Sequence, residues 1–164
     1  MDDRLVQQLE AELAAERKRP HARPPGADHV TFPGVGLRRA HLRRSPPFHL
    51  GDAWDVREVD EGLVLYHSEV SHRSGWLLDY VRVPMPSDEL AKVVSELQNL
   101  VLPVRPWRND QAGLDGTSFQ VGVFGDMYSE VRFSWWEDPP PAWKPLASLA
   151  KKLFKQFAAA RRDA

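Results

Sequence analysis

The chain has 164 residues, 42% hydrophobic and 27% charged, with a formal net charge of −1 and no cysteine. That length buries one core without covalent staples, and the missing cysteines exclude disulfides, thiolate nucleophiles and Cys-ligated zinc. No run approaches the roughly eighteen apolar residues of a membrane span, and Met1-Asp2-Asp3 opens no secretory signal, so a cytoplasmic location is expected.

In chain order, the first predicted element is a helix over 3–18. Leu5, Val6, Leu9 and Leu13 recur at helical spacing among Ala, Glu and Gln. Arg17-Lys18-Arg19 and Pro20 close it. Residues 20–50 carry Pro20, Pro24, Pro25, Pro33, Pro46 and Pro47 between His and Arg, which predicts an extended connector touching the body through Phe32, Val35, Leu37 and Phe48. Gly34-Val35-Gly36 lacks the third glycine and the strand-to-helix setting of a phosphate loop. Residues 1–50 are therefore assigned to an N-terminal helix plus a Pro/Arg/His-rich connector, and residues 51–164 to a single α+β domain.

From Trp54 the pattern changes. Residues 54–59, 63–70 and 75–83 are rich in Val, Leu, Tyr and Trp and are joined by Asp60-Glu61-Gly62 and Ser71-His72-Arg73-Ser74, which predicts an antiparallel meander. Pro84 and Pro86 stop the third strand, and Ser87 is placed as the cap of a helix whose apolar face is Leu90, Val93, Val94, Leu97 and Val101. After a connector over 102–116, Phe119, Val121 and Val123 alternate on one strand and Val131, Phe133 and Trp135 on the next, turned by Gly125-Asp126. Leu146, Leu149, Ala150, Leu153 and Phe157 then line a helix starting near Pro145. The predicted class is α+β: an antiparallel sheet of about five strands in the order β-β-β-α-β-β-α, with helices on one face. The Val131/Phe133/Trp135 face is expected to pack on Leu149, Leu153 and Phe157.

Charge is segregated. Basic side chains outnumber acidic ones nine to six over residues 1–50 and six to one over 144–164, but are outnumbered seven to sixteen over 51–143. An acidic body flanked by basic ends favours a basic protein partner. A nucleic-acid reading would need Arg38, Arg39, Arg43 and Arg44 to converge with Lys151, Lys152, Lys155, Arg161 and Arg162.

The residues assign no catalytic site, metal site or cofactor. His67 and Glu69 share a strand face, but His21, His29, His41 and His49 stand at no metal-ligand spacing, and His67 reads as a half-exposed strand histidine. Ser68, His67 and Asp79 could be named as a hydrolytic set, yet adjacent strand residues point to opposite faces. Carboxylate pairs such as Asp52/Asp55, Asp60/Glu61 and Glu137/Asp138 sit mostly at predicted turns. Exposed aromatics serve as interface anchors, so Trp107, Trp136, Glu137, Asp138 and Trp143 are the partner-binding candidates.

Two segments, Leu114-Asp115-Gly116-Thr117-Ser118-Phe119 and Trp135-Trp136-Glu137-Asp138-Pro139-Pro140-Pro141-Ala142-Trp143-Lys144-Pro145-Leu146, resemble small uncharacterised bacterial α+β proteins, some of which look like immunity proteins of toxin systems. That resemblance implies a bacterial-type, non-enzymatic, protein-binding factor of accessory or immunity-like kind. The alternatives are a hydrolase-type enzyme and a nucleic-acid accessory protein using the basic ends.

Overall fold

A computed structural model describes residues 36–71, 80–103, 116–126 and 129–163, with the backbone alone at 31–32 and 77–79. Gln7, Glu10, Ala11, Ala14 and Ala15 are also described, helical and exposed; the rest of the helix predicted over 3–18 lies outside the described residues. The elements are β1 (Thr31–Phe32), β2 (Gly36–Ser45), β3 (Gly51–Val59), β4 (Gly62–Val70), β5 (Leu77–Val83), α1 (Ser87–Gln98), β6 (Ser118–Phe124), β7 (Glu130–Trp136), a 3₁₀ turn (Pro141–Trp143) and α2 (Lys144–Arg162). Six strands form one sheet in the order β5-β4-β3-β2-β6-β7, and the short β1 pairs with β2. All described pairings are antiparallel, so the α+β class holds.

The strand count corrects the expectation of about five. Gly36–Ser45, read as connector, is a central strand between β3 and β6. Its sequence, Gly-Leu-Arg-Arg-Ala-His-Leu-Arg-Arg-Ser, offers only Ala40 and Leu42 to the apolar core, and both are fully buried there. A bulge between Arg38 and Ala40 adds one residue, so Arg38 and His41, three apart, share the opposite face. Phe48, expected against the body, lies in the β2–β3 loop at φ 58° and is 70% exposed. The β3–β4 turn forms as predicted, with Val59 paired to Gly62 across Asp60-Glu61.

One sheet face is apolar and carries both helices. Ala40, Leu42, Trp54, Val56, Leu65, Val83, Val121 and Trp135 meet Leu90, Val93, Val94 and Leu97 of α1 and Leu146, Ala150, Leu153 and Phe157 of α2. Each fully buried side chain of this size contributes roughly 1.5–3 kcal/mol. α1 ends at Gln98, so Val101, predicted on its apolar face, is 96% exposed. Ser87 does not cap α1. Its Oγ accepts the Leu63 N–H at 2.9 Å and ties the helix to the β3–β4 turn.

α2 runs across the sheet rather than along the β6–β7 hairpin. Trp143, just before it, meets Phe133 of β7 edge-to-face at 5.2 Å. Phe154 meets Phe119 of β6 at 6.4 Å, and Phe157 meets Trp54 of β3 at 5.6 Å. Arg161 reaches His67 of β4 at 3.2 Å. A helix of 19 residues is about 28 Å long, enough to span these strands. Of the predicted hairpin face, Trp135 is buried in one cluster with Leu153 and Phe157, and Phe133 and Leu149 pack against that cluster, but Val131 is 53% exposed.

Candidate functional site

The face away from the helices holds a buried polar network centred on Asp55. Arg38 Nη2 donates to Asp55 Oδ2 at 3.0 Å, and its Nε lies 3.0 Å from Oδ1. His41 Nδ1 lies 2.7 Å from Oδ1, and Arg57 Nη2 and Tyr80 Oη lie 3.5 and 3.3 Å from Oδ2. Strand register brings these groups together, since His41 faces Asp55 and Arg38 faces Arg57 across β2 and β3. An ionised carboxylate only accepts, so His41 donates from a protonated Nδ1. Arg57 Nη1 also donates to the Gly36 carbonyl at 2.8 Å. Arg38 lies 5.6 Å from the Phe124 ring. Gly122 makes room for that ring, because a Cβ there would stand 3.1 Å from it.

Burial pushes the Asp55 carboxyl up, but the His41 hydrogen bond and the charges of His41, Arg38 and Arg57 outweigh it and hold Asp55 well below the usual carboxylate range. Burial is the largest influence on His41 and lowers its pKa; Asp55 opposes the shift, while Arg38 and Arg43 add to it. Arg38, His41, Asp55 and Arg57 are all buried and engaged with one another.

The helix-side face carries a second polar group. His67, expected half-exposed, is fully buried against Trp54, with ring centroids 4.3 Å apart. Its Nε2 lies 3.4 Å from Asp52 Oδ1 and 3.2 Å from Arg161 Nη1. One nitrogen cannot donate to the carboxylate and accept from the guanidinium at once. The Asp52 carboxyl is held below its ordinary value by its His67 contact, then by the Arg44 hydrogen bond and charge, with burial opposing. Ser68 is buried with its Oγ unpartnered and sits one residue along β4 from His67, on the other face. The strand therefore separates these two groups; the Asp79 side chain lies outside the described residues. Asp52 and Asp55 are likewise split between the two faces. Among the described residues no group of three His, Asp or Glu side chains could hold a metal ion.

The third region is the outer edge of the sheet and the corner behind it. β7 ends the strand order, and among the described residues nothing pairs with its outer side. Glu130, Val131, Arg132 and Ser134 are exposed there. Beside it, Leu97, Leu100 and Leu102 face Val131 and Phe133 across a groove of about 340 Å³. Of the partner-binding candidates, Trp136 is half-buried beside a hollow of about 430 Å³ that Arg43, Gln120 and Ser134 also line. Glu137, at φ 52°, turns the corner: its backbone N–H donates to Thr117 O at 2.8 Å and its carboxylate accepts from the Thr117 N–H. Asp138 is exposed. Trp143 braces Phe133, and its Nε1 donates to the Pro103 carbonyl at 3.3 Å. Trp107 lies outside the described residues.

The fold brings part of the two basic segments together. Arg44 of β2 meets Lys151 and Lys155 of α2 around a cleft of about 330 Å³ beside Trp54, Phe119 and Phe154. Arg39 turns the other way, to Glu58 and, at 2.8 Å, to Asp126. The Asp55 network was missed at the sequence level, where only an excess of Arg and His in a strand-length segment hinted at it. No helix among the described residues is long and apolar enough to cross a membrane. No family model matches the chain, and no curated protein or solved structure matches it.

Proposed function

We propose that this protein is a non-enzymatic, accessory or immunity-like factor of bacterial type that binds another protein through the β7 edge and its acidic corner. The carrying observation is that edge itself: a terminal strand with four exposed residues, an apolar groove alongside it and the exposed acidic residues Glu130 and Asp138 at its two ends. An extended segment can add to such an edge by main-chain hydrogen bonding while alternate side chains enter the groove. Arg132 partly offsets the local charge by pairing with Glu130 at 3.2 Å, yet the acidic balance remains and selects a basic segment. The occupant is thus a basic, extended segment with apolar residues at every second position, and Asp138 lies at the end of its path.

Selection of displayed peptides on the immobilised full chain tests this reading. Enriched peptides should be basic with alternating apolar residues, and the double variant Glu130→Lys/Asp138→Lys should lose them. Enrichment of acidic peptides, or retention by the variant, overturns the proposal.

A further inference from the structure

Lys151 and Lys155 stand one turn apart on α2, both exposed, where like charges repel. Lys152 between them is held by Glu96 at 3.1 Å. Lys151 and Lys155 pair with no carboxylate among the described residues, and both line the cleft between α2 and the sheet. The cleft is walled by Trp54, Phe119 and Phe154. Arg44 lies 5.7 Å from the Phe154 ring and is tied to Asp52, so its charge is answered locally. The two lysines are the uncompensated charge at the rim of an aromatic cleft.

We infer that this cleft is a binding site for a small amphipathic anion, a carboxylate, sulfonate or phosphate ester carrying an aromatic or branched aliphatic body. Its volume of about 330 Å³ falls within the range of small-molecule pockets, which combine apolar walls with a few placed polar groups. The ring edges and Ala158 receive the body, and Lys151 and Lys155 bind the charged head. Arg44 and Asp52, paired with one another, add no net charge to the cleft. The cleft lies over β2, β3 and β6, away from the outer edge of β7, so it stands apart from the partner-binding reading.

Anilinonaphthalene sulfonate supplies both features of such a ligand, and uncharged N-phenylnaphthylamine supplies the body alone. Titrated against the folded full chain at low salt, the sulfonate should bind one to one and clearly more tightly than the amine. Lys151→Gln/Lys155→Gln should weaken the sulfonate at least about fivefold and leave the amine unchanged. Ala158→Trp, which fills the cleft and keeps both charges, should weaken both probes. Equal affinity for the two probes, or a sulfonate affinity untouched by the lysine variant, overturns the inference. So does inorganic phosphate or a single-stranded oligonucleotide binding as tightly as the sulfonate, for either would show a plain cationic patch.

Discussion

Asp55 is the residue on which the polar face of the sheet depends. Removing one member of a buried ionic set leaves its partners charged and unpaired, which typically costs about 3–5 kcal/mol. Asp55→Ala should therefore destabilise the fold by that amount in urea unfolding, because Arg38 and Arg57 would both lose the carboxylate they share. Arg39→Ala, which breaks only more exposed pairs with Glu58 and Asp126, should cost less than about 1 kcal/mol. The two pKa shifts also fix the direction of pH dependence. The folded pKa of His41 is depressed from 6.5, so below that value the unfolded chain takes up the proton first and stability falls. The folded pKa of Asp55 is depressed from 3.8, so its contribution, full above that value, is lost on further acidification. Unfolding midpoints should thus drop in two stages as pH is lowered, and His41→Gln should flatten the upper stage. A midpoint that rises between neutral pH and the ordinary histidine pKa would contradict the assignment.

At the scale of elements, the course of α2 decides which aromatic contacts matter. Phe157 is fully buried on Trp54, whereas Phe133 is half-buried on Trp143. Phe157→Ala should cost about 3–5 kcal/mol, and Phe133→Ala distinctly less, as denaturant titration of the two variants would show. Equal losses would mean that α2 lies along the hairpin. The period-two and helical patterns of residues 54–83, 87–98, 118–136 and 144–162 were legible because one face of each element meets solvent or a polar layer. The β2 strand was not. Its apolar residues number only Leu37, Ala40 and Leu42, and the bulge after Arg38 breaks the alternation that identifies a strand. A strand buried on both faces usually reads as a continuous apolar run; here ion pairs replace hydrophobic residues on one side.

Across the whole molecule, folding sorts the charge that is segregated along the sequence. Glu130 and Asp138 are exposed at the two ends of β7, while Lys151, Lys155 and Arg44 gather at the cleft under α2. Complementary charge acts mainly on encounter and is screened beyond about a Debye length. Binding of a basic peptide at the β7 edge should therefore slow markedly in association as salt is raised, with dissociation changing little. A salt-independent association rate would remove the electrostatic part of the reading.

The sequence by itself determined the α+β class, the meander, the closing hairpin and the two amphipathic helices, because these follow from local periodicity and from turn residues. Only the tertiary structure decided that Arg38, His41, Asp55 and Arg57 form one buried set, that His67 is sealed beneath Trp54, and that Arg44 shares a cleft with Lys151 and Lys155. Each of these joins residues from different strands or from opposite ends of the chain. Their meeting depends on strand order, on a one-residue bulge and on the diagonal path of one helix, and local sequence pattern encodes none of the three.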